Sequence, residues 1–128
     1  MNPELMHLEI LRVRDAGDLE NERIVLKANQ VCEISWYILL DNTYDEYGNL
    51  SNLWRHVYVF PKIKVKAGDF IWLYSKKGEN SSRGNKSNTT THLLYWGLDE
   101  TIWNKEKDAA HLIKYIDSQS VDILYDRS

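Results

Sequence analysis

Residues 55–75 read RHVYVFPKIKVKAGDFIWLYS, and this stretch decides the fold. Arg55–Phe60 is a β-branched and aromatic run of strand type. Pro61 stops it from continuing as a central strand, because proline has no N–H to give the ladder. Beyond it Lys62, Lys64 and Lys66 alternate with Ile63, Val65 and Ala67, so an extended chain puts three ammonium groups on one face and the apolar side chains on the other. Ala67-Gly68-Asp69 is a turn signal. After it Phe70, Trp72 and Tyr74 stand opposite Ile71 and Leu73, and the two segments are expected to form a hairpin-like pair.

The same grammar continues outward. Leu5–Val13 alternates, with Leu8, Ile10 and Arg12 on one face and Glu9, Leu11 and Val13 on the other, and Asp15–Asp18 ends it. Arg23–Ala28 and Glu33–Leu40, flanking Asn29-Gln30, read as neighbouring strands inside a sandwich. Asp41–Asn52 carries turn chemistry and reads as an inserted loop. On the other side Gly78–Thr91, GENSSRGNKSNTTT, is low in apolar content and long enough to be a flexible loop. His92–Trp96 and Thr101–Trp103 are short apolar clusters. Ala109–Ile116 reads as a strand, with a helix over Glu106–Tyr115 as the alternative, and Val121–Tyr125 closes a terminal hairpin. Short strands at this spacing predict an all-β sandwich or barrel of about seven to nine strands.

Composition supports one domain over residues 1–128, with a core from about 5 to 125. The chain has the usual single-domain length, and 43% apolar with 27% charged residues fits neither disorder nor a membrane protein. Five Trp and eight Tyr favour strands and bulky core anchors. No run of about 18 apolar residues is present, and Met1–Ile10 lacks signal-peptide character. Cys32 is the single cysteine, which removes internal disulfides and cysteine zinc sites. Compartment stays open, since a reducing interior and export both fit. The net charge of −3 is uneven: Met1–Pro61 carries five cations against ten carboxylates, Lys62–Thr91 seven against two, and the remainder four against seven.

The ordered motifs resemble the lamin tail domain over about Leu8–Tyr125. Tyr58-Val59-Phe60-Pro61, Lys66-Ala67-Gly68-Asp69 and Phe70–Tyr74 look like that family's Phe-Pro, Ala-Gly turn and following strand. Leu94-Tyr95-Trp96-Gly97, Trp103-Asn104, Asp108–Leu112, Asp117 and Val121-Asp122 resemble its Trp, Trp-Asn, Gly-Asp, Leu and Val-Asp series. Ile24–Asn29 and Ser35–Leu39 are similar to its earlier strands. Ser35, Lys107 and Ser118-Gln119 stand where the family has glycine, which bears on turn geometry. The resemblance implies an immunoglobulin-like β-sandwich, a binding or scaffolding module without enzymatic activity, a protein partner and no cofactor.

The chemistry read from the residues agrees with a non-enzyme. His7, His56, His92 and His111 lack metal-ligand spacing, and Cys32 lies in an apolar run as a structural thiol. No nucleophile elbow or phosphate-binding loop occurs. Trp36, Trp72, Trp96 and Trp103 are expected as core anchors whose indole N–H groups find partners. Two alternatives to a protein partner remain. Lys62, Lys64 and Lys66, with Lys76, Lys77, Arg83 and Lys86 if the long loop folds back, form a candidate nucleic-acid or polyanion site, although lysines also guard sheet edges. Trp54, expected at the surface, with Asp41, Asp45 and Glu46, suggests a carbohydrate- or calcium-binding accessory domain.

Overall fold

The computed structural model describes residues 6–43, 47, 56–103, 108–115 and 119. Their elements are β1 (Leu8–Arg14), β2 (Arg23–Ala28), β3 (Cys32–Glu33), a 3-10 turn (Ile34–Trp36), β4 (Tyr37–Thr43), β5 (His56–Val59), β6 (Lys64–Val65), β7 (Phe70–Tyr74), β8 (Ser81–Gly84), β9 (Thr90–Tyr95) and β10 (Asp108–Lys114). One sheet runs β1-β2-β7-β9-β8, a second β10-β4-β5, and β3 pairs with β6. The fold is all-β and sandwich-like. No helix among the described residues is long and apolar enough to cross a membrane.

Period-2 alternation builds the core. Leu8, Ile24, Leu26, Ala28, Ile71, Leu73 and Leu94 from the five-stranded sheet meet Tyr37, Leu39 and Phe60 in one buried cluster, which Cys32, Ile34, Val65, Ile102 and Trp103 complete. Each Leu, Ile or Val side chain so buried contributes about 1.5–3 kcal/mol. Trp96 joins the layers by ring contacts to Tyr58 at 5.5 Å and Trp103 at 6.2 Å.

Several expectations are corrected. Arg12 does not share the Leu8 and Ile10 face, because β1 slips register between Ile10 and Arg12; beyond the bulge Arg12 pairs with Val25 and Arg14 with Arg23, on the opposite side. Glu33–Leu40 is broken by the 3-10 turn, and β2 and β4 lie in different sheets. The segments around Gly68 are not a hairpin: β6 pairs with β3, while β7 pairs with β2 and β9. The Ala67-Gly68 turn carries the chain between sheets. Asp41 and Asn42, expected to open a loop, are buried in β4, which runs on to Thr43, and beyond Thr43 the segment lies outside the described residues except Tyr47. Gly78–Thr91 holds β8 and a turn into β9. Its side chains gave no strand signal because all four β8 residues are exposed at the sheet edge. The expected terminal hairpin, Val121–Tyr125, lies outside the described residues.

The tryptophans divide. Trp103 is buried in the core, yet its Nε1 finds no hydrogen-bond partner among the described residues. Trp36 is 43% exposed in the 3-10 turn, with the Lys114 ammonium 5.5 Å from its ring. Trp72 lies on the outer side of β7, since Ile71 and Leu73 take the inner one.

Candidate anion-binding face

The outer side of the five-stranded sheet concentrates cations and rings. Registers place Arg12 and Arg14 of β1, Arg23, Val25 and Lys27 of β2, Phe70, Trp72 and Tyr74 of β7, Thr91, Leu93 and Tyr95 of β9, and Arg83 of β8 on this one side. Arg23 lies over Trp72 at 4.8 Å and Tyr74 at 5.7 Å, Arg83 over Trp72 at 5.3 Å, Lys27 over Phe70 at 5.8 Å and Lys76 over Tyr74 at 5.4 Å. Each contact contributes about 0.5–1 kcal/mol at an exposed site and holds its cation over the sheet. Tyr74 and Tyr95 stack at 5.2 Å.

The cations differ in what they already hold. Arg23 Nη1 donates to Asp15 at 3.1 Å and to the Asn21 carbonyl at 2.8 Å. Lys76 meets Glu20 at 2.8 Å, a bond that holds its ammonium above the usual lysine range. Among the described residues Arg12, Arg14, Lys27, Arg83 and Lys86 form no ion pair, and all but Lys27 are exposed. Arg12, Arg14 and Lys86 line one cleft of about 250 Å³ with Val25, Phe70, Trp72, Asn85, Ser87 and Thr91. Two walls thus come from opposite edges of the sheet and the floor from its central strands. Asn85 holds the far wall: its Oδ1 accepts from the Ser87 and Thr89 N–H groups at 3.0 and 3.2 Å, and its amide donates to Thr91 Oγ1 at 3.1 Å.

The lysines singled out from sequence fall into separate groups. Lys62, Lys64 and Lys66 are exposed as their alternation implies, but none lines this cleft. Lys64 sits opposite Glu33 and lines another cleft, of about 310 Å³, with Val31, Cys32 and Trp36. Lys77 pairs with Asp99 at 2.9 Å. Arg83 and Lys86 alone join the cationic face without a carboxylate partner among the described residues. Sequence reasoning missed Arg12 and Arg14. Their signal was the adjacent apolar pair Ile10-Leu11 before Arg-Val-Arg, where the alternation changes phase.

The remaining candidates have structural partners or fall outside the described residues. Asp69 Oδ2 accepts from the Lys66 N–H at 3.0 Å and contacts His92 Nε2 at 3.1 Å, while Oδ1 accepts from the Thr90 N–H at 3.1 Å. Burial pushes the Asp69 carboxyl up, and the bonds from Lys66, His92 and Thr90 outweigh it, leaving it below the usual carboxylate range. Asp41 lies 2.9 Å from His56 Nδ1. Burial raises the Cys32 thiol. Among the described residues no three His, Cys, Asp or Glu side chains gather to hold a metal. Trp54, Asp45 and Glu46 lie outside the described residues.

Fold and face together define an all-β, sandwich-like protein with one cationic, aromatic sheet face. Family models, curated proteins and solved structures all give no match to the chain.

Proposed function

We propose that this chain is a non-catalytic binding module of the lamin-tail, immunoglobulin-like type, and that it holds an anionic partner on the outer face of its five-stranded sheet. The observation that carries the proposal is the set Arg12, Arg14, Arg83 and Lys86, exposed and without ion pairs among the described residues, around an aromatic floor. Unpaired guanidinium groups donate in a forked geometry suited to phosphate, sulfate or carboxylate oxygens. The lamin-tail resemblance draws support from Phe60, Trp103 and the positive-φ Gly68 in core and turn roles. A non-catalytic role fits the two His–Asp contacts, of which Asp69–His92 fastens a turn.

Titration of the full chain with a sulfated polysaccharide and with single-stranded DNA, at low and moderate salt, tests this. Affinity is expected to fall steeply with salt, and Arg12→Glu with Arg14→Glu is expected to remove most of it. Undetectable binding at low salt, or a double variant that binds like wild type, overturns the proposal.

A second reading has its own observation. On the outer side of the three-stranded sheet Val57 is 50% and Val59 63% exposed, beside Ile38, Leu40 and Ile113. Such a face suits a protein partner, and Val57→Lys with Val59→Lys would weaken that partner without altering polyanion binding. Unchanged capture by the double variant removes this reading.

A further inference from the structure

We propose that the cleft between Arg12, Arg14 and the Asn85–Ser87 turn is a nucleobase subsite, so that the polyanion held on this face is single-stranded nucleic acid. The proposal rests on the anion-binding reading above and names its ligand.

Three observations converge. First, the cleft pairs a floor of Phe70, Trp72 and Val25 with cations on opposite walls, Arg12 and Arg14 from β1 and Lys86 from the turn before β9. Single-stranded nucleic acid presents this combination, planar bases that stack on rings and phosphates that need cations. A sulfated glycan or acidic peptide satisfies the cations but offers no aromatic plane to the floor. In a duplex only base edges are open, in the grooves, and the ring planes that would stack on such a floor are taken by neighbouring bases.

Second, size favours one base. At about 250 Å³ the cleft is slightly smaller than usual small-molecule pockets, which start at roughly 300 Å³. A single planar ring system fits, while its flanking phosphates extend to the walls. Arg12 and Arg14, two residues apart on the same side of β1, are about 6.8 Å apart along the strand. That spacing follows neighbouring phosphates of an extended strand.

Third, the amide of Asn85 is largely occupied. Its oxygen serves Ser87 and Thr89, and its nitrogen serves Thr91. Its carbonyl oxygen and one of its two N–H groups are therefore engaged, which leaves a single donor and no acceptor for a base edge. One donor discriminates weakly, so stacking governs affinity and different bases are accepted.

The test compares a short oligothymidylate with an abasic phosphodiester backbone of equal length and with a duplex, by fluorescence anisotropy at low salt. The base-bearing strand is expected to bind about tenfold more tightly than the abasic one. Phe70→Leu is expected to remove that difference while leaving abasic binding unchanged. Quenching of tryptophan emission by oligothymidylate should disappear in Trp72→Phe, which serves as an independent check if Phe70→Leu unfolds. Equal affinity for abasic and base-bearing strands, tighter binding of duplex, or discrimination that persists in both variants overturns the base subsite and leaves the anion-binding reading standing. Failure of every anionic probe to bind overturns that reading itself.

Discussion

Glu22 is fully buried, and its carboxylate joins three parts of the chain. Oε1 accepts from the Gly17 N–H at 2.9 Å and the Trp103 N–H at 3.4 Å; Oε2 accepts from the Ile102 N–H at 3.1 Å and from the Ser75 hydroxyl. Removing it strands several buried donors, each costing about 1–3 kcal/mol. Glu22→Ala is expected to lower unfolding stability by about 3–5 kcal/mol in urea; a loss under about 1 kcal/mol would show that the staple is dispensable. Asp69 acts at the same scale but depends on pH. Because its carboxyl sits below the ordinary value in the folded chain, its contribution is present above about pH 4 and is lost as pH falls through the folded value. The stability gap between wild type and Asp69→Asn should be about 1–3 kcal/mol near neutrality and shrink below about pH 4. A gap that stays constant from neutrality to about pH 3 contradicts this assignment.

Turns and bulges decide how the elements connect. Gly68 has φ of 91°, and a Cβ there would lie 3.0 Å from Thr89 Cγ2; Gly17 has φ of 90° with nothing within 4 Å. Both substitutions incur the left-handed backbone cost, on the order of 1 kcal/mol, but only Gly68→Ala also presses against the β8–β9 turn. Gly68→Ala should therefore lower the thermal midpoint more than Gly17→Ala, and the reverse order would refute the contact argument. The one-residue bulge in β1 has a different effect. By reversing the side on which Arg12 and Arg14 emerge, it moves two cations from the core side of an edge strand to the outer face.

Across the whole molecule, charge is sorted by face although the chain is net acidic. Cations within a Debye length of one another act on a polyanion together, so a local patch outweighs the overall balance at short range. If three or four phosphates are neutralised, log K against log salt for a single strand should have a slope of about −2 to −3. The Lys62→Glu, Lys64→Glu, Lys66→Glu variant should keep most of that slope, because these residues lie outside the cleft. Loss of binding in this variant with retention in Arg12→Glu, Arg14→Glu would move the site to β6.

The sequence by itself determined the strands with a buried side. Phe70–Tyr74 and the alternation of Ile63 and Val65 with three lysines follow from period-2 burial, which one residue's neighbours already encode, and Arg23–Ala28 from a β-branched run whose Ile24, Val25, Leu26 and Ala28 are all buried. Only tertiary structure decided which strands pair and which cations meet. The strand β8 was hidden because an exposed edge strand needs no apolar side chains, and β9 slots between β7 and β8, parallel to β7. Arg12 and Lys86 are far apart in sequence and share a cleft because that insertion and the β1 bulge bring opposite sheet edges over the same rings. Pairing across such separations depends on backbone hydrogen bonds, which every residue type makes alike, so side-chain pattern alone does not specify it.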